Sequence, residues 1–253
     1  MMVVATDSHY VEPFVVKRLY ICSGETYSVL VTANQDPSRN YWAMTKMVAR
    51  NNTTPNGLAI FNYIQNPPTQ LPPTLPPSGP SWDDLESRIN QSLAIKAHPD
   101  HIHPMPKTPA NASNPNAISS SSLYRLKFNT TIDIVLQNAN TMKANTSETH
   151  PWHLHGHNFW VLGYGNGKFN ASEDPKRYNL VNPIKKNTVP LHPFGWTALR
   201  FVADNPGVWA FHCHIEAHLF LGMGVVFEEG IENVGTLPPS IMGCGDTKKF
   251  IKP

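Results

Sequence analysis

Two short histidine-rich segments place the strongest constraint on how this chain folds. The first reads HPWHLHGH, residues 150–157, and the second reads HCHIEAH, residues 212–218. In a β-strand, residues two apart share a face and lie roughly 6–7 Å apart, whereas the residue between them faces the other side. Two neighbouring strands would thus gather four imidazoles on one face and point Cys213 to the other. The four imidazoles are those of His153, His155, His212 and His214.

This set of side chains indicates a metal centre. Imidazole suits copper, zinc, iron or nickel, and a thiolate with two imidazoles and a weak thioether suits blue copper. Cys213, His218 and Met223 follow one another at a C-x4-H-x4-M spacing, with His150 as the second imidazole. Zinc is the rival metal, but structural zinc sites usually use paired cysteines, and only one cysteine lies here. A single His-x-His pair is more often a surface loop or a packed core, but two pairs beside Cys, His and Met favour copper.

Short strand patterns bounded by glycine, proline and asparagine occupy most of the remaining chain. In residues 131–137, for example, Ile132, Ile134 and Leu136 alternate with other residues and would share one face. Strands at this density, without long helical periods, predict an all-β antiparallel sandwich or barrel. We expect one short helix within residues 81–97, with Ser81 as its N-cap.

The middle of the chain has a different composition, because residues 66–118 hold half of the 24 prolines. Residues 98–122, which are rich in proline, serine and asparagine, are therefore expected to form a disordered linker. The linker contains His101 and His103 in the sequence HIHP, a weak alternative ligand pair because the residues around it lack the pattern of the other two pairs.

The composition limits which binding partners and which cellular compartment this chain can have. A net charge of +2 and the absence of any Lys/Arg run argue against nucleic acid, and no apolar run approaches the roughly 20 residues of a membrane span. The first residues lack the basic and apolar regions of a signal peptide. Even so, seven N-x-S/T sequons favour a secreted glycoprotein. We expect Cys22 to be a small apolar residue and Cys244 to be half of a disulfide.

The histidine segments and their flanks resemble the multicopper oxidases. The stretches ETHPWHLHGHNFWVLGYGNGKF and ADNPGVWAFHCHIEAHLFLGMGVVFEEG carry the resemblance, and they are closer to the plant members that oxidise ascorbate than to laccases. The resemblance implies cupredoxin-like Greek-key β-sandwiches. It divides the chain into a remnant of a second domain (1–97), the linker (98–122), an incomplete third, copper-binding domain (123–232) and a tail (233–253).

The resemblance also implies a role for each ligand residue. His150, Cys213, His218 and the axial Met223 match the type 1 copper ligands. His153 matches a type 2 copper ligand, and His155, His212 and His214 match type 3 copper ligands. Electrons from ascorbate would enter at His218 and pass through Cys213 to the histidine cluster, where O2 is reduced to water. His157 is expected to support or pack against the ligands.

The chain departs from the family pattern in two ways. The family builds its cluster from four His-x-His motifs, whereas this chain has two, and its segment between SLAIKA and SSLYRLKF is shorter. We therefore expect a truncated chain that is inactive alone unless a missing N-terminal domain or a partner chain completes the cluster. By resemblance it belongs in the extracellular space or apoplast, although it lacks a signal peptide. The alternatives are a type 1 copper electron-transfer module and a non-functional fragment.

Overall fold

The computed structural model describes residues 1–48, 53–107, 117–120 and 122–237. Within these residues the chain forms fifteen strands and two α-helices. The strands are β1 (Met2–Thr6), β2 (His9–Val15), β3 (Tyr27–Leu30), β4 (Tyr41–Thr45), β5 (Gly57–Phe61), β6 (Ala117–Ser120), β7 (Leu123–Leu126), β8 (Thr131–Gln137), β9 (His150–Leu154), β10 (Phe159–Asn166), β11 (Lys185–Lys186), β12 (Thr188–Leu191), β13 (Gly195–Val202), β14 (Gly207–Cys213) and β15 (Gly224–Glu229). The helices are α1 (Leu85–Ala94) and α2 (Glu216–Phe220).

The strands are arranged in four sheets. The two largest have the orders β12-β9-β14-β15-β7-β6 and β11-β10-β13-β8, and together we call them the sandwich. Strands β2-β1-β3 form a smaller N-terminal sheet, and β4 pairs with β5 in a separate ribbon. All pairings are antiparallel except that of β15 with β7. The prediction of an all-β, mainly antiparallel fold is confirmed.

The core lies between the two sheets of the sandwich, because alternate residues of each strand face inward. On β8 the apolar side chains of Ile132, Ile134 and Leu136 pack against this core, as the alternation predicted. Phe227 of the larger sheet stacks on Phe201 of the smaller sheet with ring centroids 5.7 Å apart. The N-terminal sheet contributes buried side chains to the same core, so it packs directly on the sandwich.

Helix α1 begins later than the sequence indicated. Its N-cap is Asp84, whose carboxylate accepts a hydrogen bond from the backbone N–H of Ser87 at 3.1 Å. The prediction that Ser81 caps the helix is therefore wrong. Asp84 also accepts a hydrogen bond from the Tyr20 hydroxyl, at 3.0 Å, and so ties the start of the helix to the N-terminal segment.

The described parts of the segment 98–122, which the sequence predicted to be a disordered linker, include regular structure and packing contacts. A 3-10 helix spans Pro99–His101, Met105 packs against the buried tryptophans on the outer face of β10 and β13, and β6 pairs with β7. Prolines remove backbone donors but do not prevent apolar packing. Residues 108–116 and 121 lie outside the described part, as does Cys244 with its expected disulfide. The described part contains no helix long and apolar enough to span a membrane.

Candidate metal centre

Strands β9 and β14 set the geometry of the site, because they pair directly. His153 lies opposite His212, and Trp152 lies opposite Cys213. Opposite residues of a strand pair point to the same face. His153 and His212 therefore share one face, whereas Cys213 points with Trp152 into the buried face, where it is fully enclosed. This is the two-faced arrangement that the strand period predicted.

On the buried face, Cys213 meets two imidazoles. Its Sγ lies 3.5 Å from Nδ1 of His218 and 3.8 Å from Nδ1 of His150, and the two Nδ1 atoms are 3.1 Å apart. The three ligand atoms all fall within 4.8 Å of one another. His150 is supplied by the start of β9 and Cys213 by the end of β14. The structure thus brings together the three residues that the sequence assigned to one site.

A short loop returns His218 to Cys213. After β14 the chain forms α2, turns at Gly222 with a φ of +94°, and re-enters the sheet at β15. The N–H of Met223 donates to the carbonyl of His218 at 3.0 Å, and the N–H of Cys213 donates to the carbonyl of Met223 at 2.9 Å. The backbone of Met223 is thus fixed beside both other residues of the C-x4-H-x4-M pattern.

A carboxylate that the sequence analysis missed supports this group. His218 Nε2 lies 3.5 Å from the Glu148 carboxylate, close to the donor–acceptor distance of a weak hydrogen bond. An Nε2–H that faces this carboxylate leaves the lone pair on Nδ1, which is the atom that faces Cys213. Glu148 lies two residues before His150, at the edge of the first histidine segment. Its position near His150, a predicted ligand, was the only feature of the sequence that pointed to Glu148.

The opposite face holds a second cluster of imidazoles. Five of their ring pairs have centroids between 4.8 and 5.9 Å apart. The Nε2 atoms of His155 and His212 approach to 3.0 Å, so at least one of them carries a lone pair toward the other. Two of these histidines, His153 and His155, line a cleft of about 410 Å³. The members of this histidine cluster are His153, His155, His212 and His214.

Hydrogen bonds at the outer ring nitrogens orient two of these imidazoles. His153 Nδ1 donates to the Asn187 carbonyl at 3.1 Å, and His212 Nδ1 donates to the Cys213 carbonyl at 3.0 Å. A carbonyl can only accept, so Nδ1 carries the proton in both rings and Nε2 keeps its lone pair. Burial, and then the neighbouring imidazoles, lower the pKa of His153 and of His155. Neutral imidazoles are the form that binds metals.

The remaining histidines of the two motifs stand apart from both groups. His157 Nε2 lies 2.7 Å from the fully buried Glu229 carboxylate, and its ring packs edge-on against Phe201. His157 therefore packs beside a buried carboxylate, and its supporting role stays a prediction. The His101 ring contacts Tyr10 and the His103 ring contacts His9 edge-on, both on the N-terminal sheet. In the part of the chain described, no ring contact joins either residue to the histidine cluster.

The enclosed group fits copper by the chemistry of its donors. Two imidazole nitrogens and one cysteine sulfur point at a common centre without a carboxylate among them, which is the donor set of blue copper sites. The opposite cluster offers imidazole nitrogens alone, which also suit copper. A buried strand pair that presents these two donor sets back to back defines a copper-binding β-sandwich protein.

Comparison with known proteins specifies the family. Two multicopper oxidase family models match this sequence, one over residues 88–233 and the other over residues 1–66. The chain belongs to the multicopper oxidase family. It is 43% identical to the L-ascorbate oxidase of Cucumis sativus over 307 aligned residues, which cover 98% of this chain and 52% of that protein. It is 41% identical to the L-ascorbate oxidase of Cucurbita pepo var. melopepo over 311 residues, covering 99% and 56%.

The fold agrees with that family. The crystal structure of Fet3p, described as a multicopper oxidase that functions in iron import, superimposes with a TM-score of 0.73 at 23% identity. That superposition covers 94% of this chain and 54% of Fet3p. The chain thus spans about half the length of the relatives it matches. Both sequence alignments are also longer than the 253 residues of the chain, so the relatives carry internal segments that it lacks.

Proposed function

We propose that this chain is the electron-receiving half of a copper oxidase of the L-ascorbate oxidase type. The observation that carries the proposal is the convergence of Cys213 Sγ with the Nδ1 atoms of His150 and His218. In this proposal Met223 is the axial ligand. His153 is a type 2 ligand, and the type 3 ligands are the other members of the histidine cluster, namely His155, His212 and His214.

Copper bound at these residues supplies one-electron redox chemistry. The chain's own contribution is to connect the two groups. Cys213 is bonded through the backbone to His212 on one side and His214 on the other, so the thiolate of one face is covalently linked to imidazoles of the other. The His218 side chain is 14% exposed, and it is the place where a reductant approaches the enclosed group.

The substrate assignment rests on the relatives. Those with 41% and 43% identity are named L-ascorbate oxidases, so we propose ascorbate as the electron donor and O2 as the acceptor. Reduction of O2 to water takes four electrons and needs a complete cluster. The histidine cluster of this chain supplies four imidazoles, so we propose that another segment or a partner chain supplies the remaining ligands. On the same basis we propose that the chain functions in the extracellular space.

An optical titration tests the type 1 assignment. Added Cu(II) should give the purified chain an intense blue thiolate band, and Cys213→Ser should abolish it. Cys22→Ser is the matched control, because Cys22 is the other described cysteine and lies outside the donor group. A colourless Cu(II) complex of the unchanged chain, or a band that survives in Cys213→Ser, would contradict the assignment.

Oxygen consumption separates the oxidase from the alternative functions. We expect no O2 uptake when the copper-loaded chain is mixed with ascorbate, together with bleaching of the blue band as the thiolate-bound copper is reduced. Bleaching without O2 uptake is also the behaviour of a type 1 electron-transfer module. Uptake that appears only after a chain with the other two His-x-His motifs is added favours the oxidase. Uptake by the chain alone would refute the need for further ligands.

A further inference from the structure

One imidazole of the histidine cluster is oriented from outside the sandwich. His153 and His212 donate from Nδ1 to backbone carbonyls of the sandwich, at Asn187 and Cys213. His214 has a different partner: its Nδ1 lies 3.1 Å from the hydroxyl of Ser23, which is 191 positions away in sequence. A hydroxyl that accepts from this nitrogen leaves the Nε2 lone pair of His214 available, as in the other two rings.

Ser23 belongs to a tight turn that precedes β3. The N–H of Glu25 donates to the Cys22 carbonyl at 3.1 Å, and the Glu25 carboxylate accepts from the N–H of Cys22 at 2.8 Å. The same carboxylate accepts from the buried ammonium of Lys186 at 2.8 Å. These bonds hold the turn closed and anchor it to β11. They therefore fix the position of Ser23 beside the histidine cluster.

Gly24, the next residue of the turn, is pressed against the same imidazole. It adopts a φ of +89°, and a Cβ at this position would lie 2.8 Å from Cδ2 of His214 and 3.2 Å from Cγ2 of Thr188. Its carbonyl accepts from the Thr188 hydroxyl at 3.1 Å, and that hydroxyl is 2.9 Å from Nδ1 of His153. The turn therefore touches His214 directly and His153 through one intervening side chain.

We propose that Ser23 and Gly24 are positioning residues that hold His214, and through Thr188 also His153, in the metal-binding orientation. That the bound metal is copper rests on the proposed function, but the orientation of the rings does not. Hydrogen-bond partners of metal-binding imidazoles fix the ring and its tautomer, and their loss typically lowers metal affinity about 10–100-fold. The N-terminal segment would thus help to orient imidazoles that are carried by β9, β14 and the residues next to them.

The first test needs no metal. Two-bond 1H–15N correlation spectra of the imidazoles, recorded at about pH 8.5 where histidines with ordinary pKa values are neutral, report the tautomer of each ring. In the unchanged chain His214 should carry its proton on Nδ1. Ser23→Ala should convert His214 to a mixture of tautomers and leave His212 unchanged. Ser23→Thr, which keeps the hydroxyl, should restore the Nδ1–H form. An unchanged His214 tautomer in Ser23→Ala would overturn the proposal.

The second test uses Cu(II) as the probe. Ser23→Ala and Gly24→Ala should each weaken Cu(II) binding at the histidine cluster about tenfold or more, while the blue band of the Cys213 group keeps its intensity. Ser28→Ala is the matched control, since Ser28 is an exposed serine of the adjacent strand without a side-chain hydrogen bond in the described structure. Equal Cu(II) affinity in all variants would overturn the proposal. A chain that never turns blue, yet shows the tautomer change, would contradict the proposed function alone.

Discussion

The ammonium of Lys186 joins the N-terminal sheet to the sandwich, and its removal should be costly. The Lys186 side chain is 1% exposed, and its Nζ lies 2.8 Å from the Glu25 carboxylate and 2.8 Å from the Thr6 hydroxyl. The Asp7 carboxylate is 3.9 Å away and is also buried. Both carboxylates come from the N-terminal segment, whereas Lys186 ends β11. One cation thus compensates two carboxylates at this junction.

Lys186→Met keeps the length and the apolar stem of the side chain and removes only the charge. The two carboxylates would then be buried without their cation, and breaking a buried ion pair in this way typically costs about 3–5 kcal/mol. Small domains are stable by only about 5–15 kcal/mol. We therefore expect a large fall in the free energy of unfolding, measured as a lower urea midpoint by tryptophan fluorescence.

Lys185→Met is the matched control for this loss. Lys185 precedes Lys186, but its ammonium lies over the Trp160 ring, 4.6 Å from the centroid. Exposed cation–π contacts contribute about 0.5–1 kcal/mol, so this variant should lose far less stability. The double variant Lys186→Met with Glu25→Gln should recover part of the loss, because one uncompensated charge is gone. Equal, small losses for Lys185→Met and Lys186→Met would refute the idea that the buried carboxylates depend on Lys186.

Three further variants test the core and one buried histidine. Burial lowers the pKa of His192 to about 4; the unfolded chain therefore takes up a proton first as pH falls, and stability should drop by about 2 kcal/mol between pH 7 and pH 5. In urea titrations at both pH values, His192→Gln should remove this loss of stability. The same loss between pH 7 and pH 5 in the variant would contradict the assignment to His192. Phe227→Ala should cost about 3–5 kcal/mol by leaving a cavity in the sandwich, whereas a loss below about 1 kcal/mol would show that the core collapses around it. Gly165→Ala should lower the thermal midpoint, because its Cβ would lie 2.3 Å from the Trp196 ring; no change would mean that the ring moves freely aside.

The two faces of the site could be derived from the sequence because a strand has a period of two. His212 and His214 flank Cys213, so any strand that includes Cys213 separates the thiol from its neighbours. The sequence could not give the register between strands, but His153 opposite His212 is the pairing that brings the two motifs into one cluster. Local pattern fixed the direction of each side chain, and tertiary pairing fixed which side chains meet.

The misses have a common physical cause. In SWDDLE, Ser81, Asp83 and Asp84 can all cap a helix, and Asp84, the residue that does so, also accepts a hydrogen bond from Tyr20, which is 64 positions away. Composition alone predicted disorder around Met105, yet this half-buried side chain packs against the buried Trp160 and Trp196. In both cases the local sequence allows more than one structure, and the observed one includes a contact between residues distant in sequence.

The Cys213 group and the histidine cluster differ in how much of the chain they depend on. The residues that form and support the Cys213 group, from Glu148 to Met223, lie on or next to strands β9, β14 and β15 of the sandwich. The histidine cluster also depends on the turn at Ser23, which Lys186 anchors through Glu25. Because proteins open locally before they unfold globally, loosening of the N-terminal sheet should release His214 before it disturbs Cys213. Lys186→Met weakens this junction and should leave the pairing of β9 with β14 in place. It should therefore lose cluster binding of Cu(II) at urea concentrations that leave the blue band unchanged.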